Sequence, residues 1–107
     1  MFWNSCAFRY ERLEELPSAL QAGGFRVVSR REKADTVFFE CVSADGVTML
    51  FWVTPETEQA PASFCWGSSR DGLVSGPAKA AVEPMVRRLE SEGFFSGGAE
   101  ERGLNSP

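Results

Sequence analysis

The sequence predicts an α+β fold: two layers, with an antiparallel four- or five-stranded sheet and N- and C-terminal helices packed on one of its faces. Short β-branched and aromatic segments separated by turn residues fill the middle of the chain. Stretches with apolar residues at helical spacing lie on either side of them. The hairpin signals "ADG" and "RDG" between segments make the strands antiparallel.

From Arg9 to Ala22, Leu13, Leu16 and Leu20 recur at helical spacing, with Glu11, Glu14 and Glu15 on the other faces. Pro17 removes a hydrogen bond from a helix interior and disfavours helical geometry in the residue before it. The helix therefore either kinks at Leu16 or begins there with Pro17 in its first turn, which leaves "CAFRYE" free for an early strand. Gly23 and Gly24 end the helix. "FRVVS" (Phe25 to Ser29) reads as a strand and "RREKAD" as the turn that follows it.

Thr36 to Val53, "TVFFECVSADGVTMLFWV", reads as a β-hairpin around "ADG". A two-residue Asp45-Gly46 loop would pair Val42 with Met49. A three-residue loop with Gly46 in the left-handed conformation pairs Cys41 with Met49, Phe39 with Phe51, and Val37 with Val53. The second register gathers six apolar side chains on one face and leaves Glu40 off it, so the hydrophobic pattern selects it. Its reverse side then sets Phe38 opposite Trp52, Leu50 opposite Glu40, and Val42 opposite Thr48, a face too apolar for water and too polar for a second core.

"TPETEQAP" is a proline-bounded loop, and "ASFCWGSS" (Ala62 to Ser69) is a further strand with Phe64 and Trp66 sharing a side. After "RDG", "LVS" (Leu73 to Ser75) can return as a short edge strand. Gly76-Pro77 opens a second helix, whose stripe is Ala78, Ala81, Val82, Met85 and Leu89. Pro84 predicts a kink or a fresh start near Glu83, and Gly93 ends the helix. Residues 1–95 are expected to form a single domain, and 96–107, which lack periodicity, a flexible tail.

The chain has 107 residues, nine of them phenylalanine, with a formal net charge of -4. That balance argues against nucleic-acid binding. Arg26, Arg30, Arg31 and Lys33 form a local basic group, read as a solvated strand end. Three widely spaced cysteines do not make a disulfide framework, no apolar run suggests a membrane span, and the start carries no secretory signal. A cytoplasmic protein is expected, without membrane or nucleic-acid partners.

The sequence contains no histidine, which removes imidazole general bases, nucleophile–histidine pairings and the commonest zinc ligand. No cofactor and no metal site are expected, and no catalytic residues are assigned. Glu40 could act as an acid or base if partly buried beside Phe38 and Trp52. Cys65 could be a nucleophile if Arg70 lowered its pKa. The simpler readings are a solvated carboxylate and a packed thiol.

The candidate partner-binding residues are Phe38, Glu40, Val42, Leu50 and Trp52. They suggest a small acidic protein-binding module of the inhibitor, immunity or antitoxin type, which the net charge would steer toward a partner with a basic surface. A chaperone or adaptor for a secreted effector is the nearest alternative. A small-ligand or enzyme pocket lined by Phe39, Phe51, Phe64 and Trp66 is a second. The same face could instead be covered by "MFW" or the tail, or could pair two copies in a homodimer.

Overall fold

A computed structural model describes residues 5–68 and 76–96, with side chains from residue 79 in the second segment. The strands are β1 (Ser5–Ala7), β2 (Phe25–Lys33), β3 (Thr36–Ser43), β4 (Thr48–Thr54) and β5 (Ser63–Gly67). They form one antiparallel sheet in the order β1-β5-β4-β3-β2. Two α-helices, α1 (Leu16–Ala22) and α2 (Gly76–Ser91), complete an α+β fold. The edge strand expected over Leu73 to Ser75 lies outside the described residues, as does the expected tail except for Ser96. That residue is tied down, its amide donating to the Ala7 carbonyl at 3.0 Å.

The first helical stretch is split. Tyr10–Glu15 forms a 3-10 helix, and the α-helix begins at Leu16 with Pro17 in its first turn. There the missing N–H costs nothing, because the opening amides of a helix have no partner within it. The earlier residues pair as an early strand, shorter than "CAFRYE": Ser5, Cys6 and Ala7 lie opposite Cys65, Phe64 and Ser63.

The central hairpin adopts the register that the apolar pattern selects, with Val37, Phe39 and Cys41 opposite Val53, Phe51 and Met49. Its turn is closed from both sides. The Gly46 amide donates to the Ser43 carbonyl at 3.0 Å, the Ser43 amide donates to the Val47 carbonyl at 2.9 Å, and the Val47 amide reaches the Ser43 hydroxyl at 3.0 Å. Gly46 has φ +83°, the conformation that makes glycine necessary at this position.

The expected turn "RREKAD" is mostly strand. β2 continues to Lys33 and turns only through Ala34 and Asp35, whose φ values of 51° and 69° are those of a two-residue hairpin loop. A β-bulge at Val28 interrupts β2: Val27 lies opposite Cys41, while Ser29 already lies opposite Glu40. The extra residue reverses the alternation along the strand. Beyond it Arg30 turns to the core side, where its guanidinium lies 5.5 Å from the Phe39 ring centre and pairs with Glu14 at 2.9 Å.

α2 runs as one helix through Pro84, so the fresh start near Glu83 does not occur. Pro84 is on the exposed side, where water can satisfy the carbonyl that its ring leaves without a donor. At the helix end the Phe94 amide donates to the Leu89 carbonyl and the Gly93 amide to that of Glu90, with Gly93 at φ +82°. This is the six-to-one and five-to-two pattern of a Schellman cap, with Phe94 and Leu89 both buried.

Leu16 and Leu20 of α1, Val82, Met85, Val86 and Leu89 of α2, and the apolar side of the sheet join a single buried cluster. Arginines also tie the helix ends. Arg88 donates to the Ala22 carbonyl at 3.2 Å, and Arg12 donates to the Glu92 carbonyl while lying 3.9 Å from the Phe94 ring centre.

Candidate functional site

Side chains alternate across a strand, and the buried set Val37, Phe39, Cys41, Met49, Phe51, Val53, Phe64 and Trp66 fixes which side is inner. The other side is here called the outer face. On it the register sets Phe38 opposite Trp52, Glu40 opposite Leu50 and Val42 opposite Thr48. All five candidate residues therefore share one face, on neighbouring central strands. The Phe38 and Trp52 rings are 6.4 Å apart and tilted by 32°. Phe38, Val42, Leu50 and Trp52 are half-buried, in contrast to the core residues behind them.

The neighbouring strands extend this face. β5 places Cys65 beside Trp52 and Ser63 beside Thr54, the two hydroxyls 2.6 Å apart. β2 places Arg26 opposite Val42, Arg31 opposite Phe38 and Lys33 opposite Thr36. Sequence reasoning missed these three cations as part of the face, because the bulge at Val28 alone brings Arg31 and Lys33 to the same side as Arg26. A shallow depression of about 320 Å³ opens between the cations and the apolar surface, lined by Arg31, Glu32, Lys33, Phe38 and Leu50. The "MFW" segment and residues 97–107, the expected covers of this face, lie outside the described residues.

The two catalytic candidates lack the settings their roles require. Glu40 is exposed and accepts a hydrogen bond from the Ser29 hydroxyl at 3.2 Å, so the partial burial expected of an acid–base group is not present. Burial pushes the Cys65 thiol up in pKa, only partly offset by a contact with Ser63, which is the reverse of nucleophile activation. Arg70, its supposed activator, lies outside the described residues. Among the described residues no three potential metal-ligating side chains gather.

The four aromatics proposed to line a ligand pocket belong to the buried core cluster. Phe39, Phe51 and Phe64 are fully buried and Trp66 nearly so. The Phe51 and Phe64 rings are 5.6 Å apart, and those of Phe64 and Trp66 5.7 Å apart. These aromatics pack against one another within the core.

The cysteines cannot pair within the fold. Cys65 is on the outer face, and Cys6 and Cys41 are on the inner one, in β1 and β3 with two strands between them. Three inter-strand steps of about 4.8 Å alone separate them by about 14 Å, and the register offsets them further along the strands, well beyond disulfide reach.

No helix among the described residues is long and apolar enough to cross a membrane. No protein family matches this chain, and no curated protein or solved structure matches it either. The functional reading therefore rests on the outer face alone.

Proposed function

We propose that this chain is a small protein-binding module that acts by occupying a partner through its outer sheet face, in the manner of inhibitor, immunity or antitoxin proteins. One observation carries the reading: Phe38, Val42, Leu50 and Trp52 form a half-buried apolar surface on the side of the sheet away from the clustered core. An apolar surface centred on a tryptophan and rimmed by polar groups is the usual makeup of an interaction site, where tryptophan is enriched among the residues that dominate binding. Glu40, Thr48 and Thr54 supply polar groups around it. A chaperone or adaptor would use the same surface and differ only in its partner. The reading assigns no catalysis and a cytoplasmic setting, in keeping with three thiols placed where they cannot bridge.

Affinity capture from the native host with wild type and Trp52→Ala tests it, alongside thermal melts of both. The expected result is a partner retained by wild type and lost from the variant, with the variant still folded and melting within about 10 °C of wild type. If Trp52→Ala captures the same partner, the outer face is not the interface. If it unfolds outright, the face is internal to the molecule and the proposal fails.

A further inference from the structure

The net charge of -4 conceals an opposite local charge on the outer face. Arg26, Arg31 and Lys33 are exposed there, and among the described residues none of them belongs to an ion pair. Away from that face, Arg12, Arg30, Lys79 and Arg88 each have a carboxylate within 4.0 Å, while Arg9 and Arg87, on other elements, have none among the described residues. Strand alternation directs one carboxylate, Glu40, to the outer face, and Glu32 of β2 borders the depression on it. The acidic surplus lies elsewhere, at Glu11, Glu14 and Glu15 of the 3-10 helix and at Glu83, Glu90 and Glu92 of α2 and its end.

We propose that the outer face receives an acidic polypeptide segment with an apolar anchor, its carboxylates meeting Arg26, Arg31 and Lys33 and its anchor seated against Phe38 and Leu50. This rests on reading the face as a docking surface, and it replaces the basic partner suggested by net charge with one set by the charge at the contact itself. The 320 Å³ depression has this composition, with an apolar floor from Phe38 and Leu50 and a rim from Arg31 and Lys33. Its volume is at the small end of ligand-holding clefts, suited to a side chain and its flanking backbone. Glu32 also lines it, and its carboxylate lies 4.0 Å from Arg30, a neighbour that offsets its charge.

Other occupants fit less well. A second copy stacked face to face would bring three cations and one carboxylate against the same set, a like-charge contact. Strand addition along β2 meets the Val28 bulge and five charged side chains, the devices that keep an edge strand from pairing. A polynucleotide presents a phosphate at every step, and three cations on a net-acidic chain make a small footprint for it.

The test uses fluorescence anisotropy with the full chain and two labelled peptides of identical apolar sequence, one interspersed with glutamate and the other with lysine. Wild type is expected to bind the glutamate peptide about ten-fold more tightly, with the preference shrinking as salt rises from about 50 to 300 mM. Arg31→Glu combined with Lys33→Glu, both exposed positions, should reverse the preference while melting like wild type. Equal binding of the two peptides, preference for the lysine peptide, or a ratio unmoved by charge reversal overturns the inference. So does binding of neither peptide, or displacement of the glutamate peptide by oligouridine. None of these outcomes bears on Trp52-dependent capture, so the broader reading stands or falls by its own result.

Discussion

A methyl group added at Gly23 tests how closely the end of α1 approaches α2. A Cβ there would lie 2.5 Å from Met85 Cγ and 3.2 Å from Met85 Cβ. Carbon atoms pack best at about 3.5–4.0 Å, so the first contact overlaps by about 1 Å. The backbone itself is no obstacle, since Gly23 has φ -85° and ψ 5°. Two effects of opposite sign therefore compete. Alanine restricts the unfolded chain, worth about 0.4–1 kcal/mol in favour of folding, whereas overpacking costs about 1–3 kcal/mol. The overlap falls on Met85 near its root, where rotation relieves little, so Gly23→Ala should destabilise by about 1–2 kcal/mol.

Met85→Ala alone should cost about 2–5 kcal/mol, because Met85 is 1% exposed. In that background the closest contact disappears, and Gly23→Ala should become neutral or stabilising by up to about 1 kcal/mol. Thermal or urea unfolding of the four proteins gives a coupling of about 1–3 kcal/mol, with about 4–8 °C in Tm for each kcal/mol at this size. A Gly23→Ala protein that is more stable than wild type, or an equal effect in both backgrounds, would show that the helices do not meet here.

Three further outcomes follow from other parts of the fold. Ala34 and Asp35 both sit at positive φ, so Ala34→Asn with Asp35→Gly should raise stability by about 1 kcal/mol, read as a higher Tm. Burial, and to a lesser extent the charge of Glu40, pushes the Cys41 thiol up to about 12 from an ordinary 9.0. At pH 8 its thiolate should then be about a thousand-fold scarcer than in the unfolded chain, and mass-mapped alkylation should find it correspondingly slow. The same shift acts on stability: the native state holds this proton more tightly, so the contribution is complete below pH 9 and is lost as pH rises toward 12. Cys41→Ala should flatten that alkaline decline in urea titrations.

The sequence showed most of the fold where a hydrophobic alternation had a single buried side to satisfy. The hairpin register is the clearest case, because one offset gathers Val37, Phe39, Cys41, Met49, Phe51 and Val53 together and glycine marks the turn. The second half of β2 was illegible for the same reason. Its inward residues are Arg30 and Glu32, and Arg30 is held by the Phe39 ring and by Glu14, an interaction between distant parts of the chain that no local pattern announces. The turn at Ala34-Asp35 lacks the glycine that would have flagged it. For the candidate site, the apolar members followed from the hairpin alone. Its cationic border depended on one extra residue at Val28, whose effect on alternation is visible only when β2 is paired with β3.

The arrangement around Phe8 bears on how the domain can be made. Phe8 bridges to Phe95, the Arg9 amide donates to the Phe94 carbonyl at 2.8 Å, and the Phe8 and Phe94 rings lie 6.3 Å apart. Ser5, Cys6 and Ala7 can pair with β5 once residue 67 is made, but the bonds of Ala7 and Arg9 to Ser96 and Phe94 form only after residue 96 has emerged. The hairpins and the β1–β5 ladder can close during synthesis, but one side of Phe8 stays available to chaperones or to misassembly until Phe94 and Phe95 arrive.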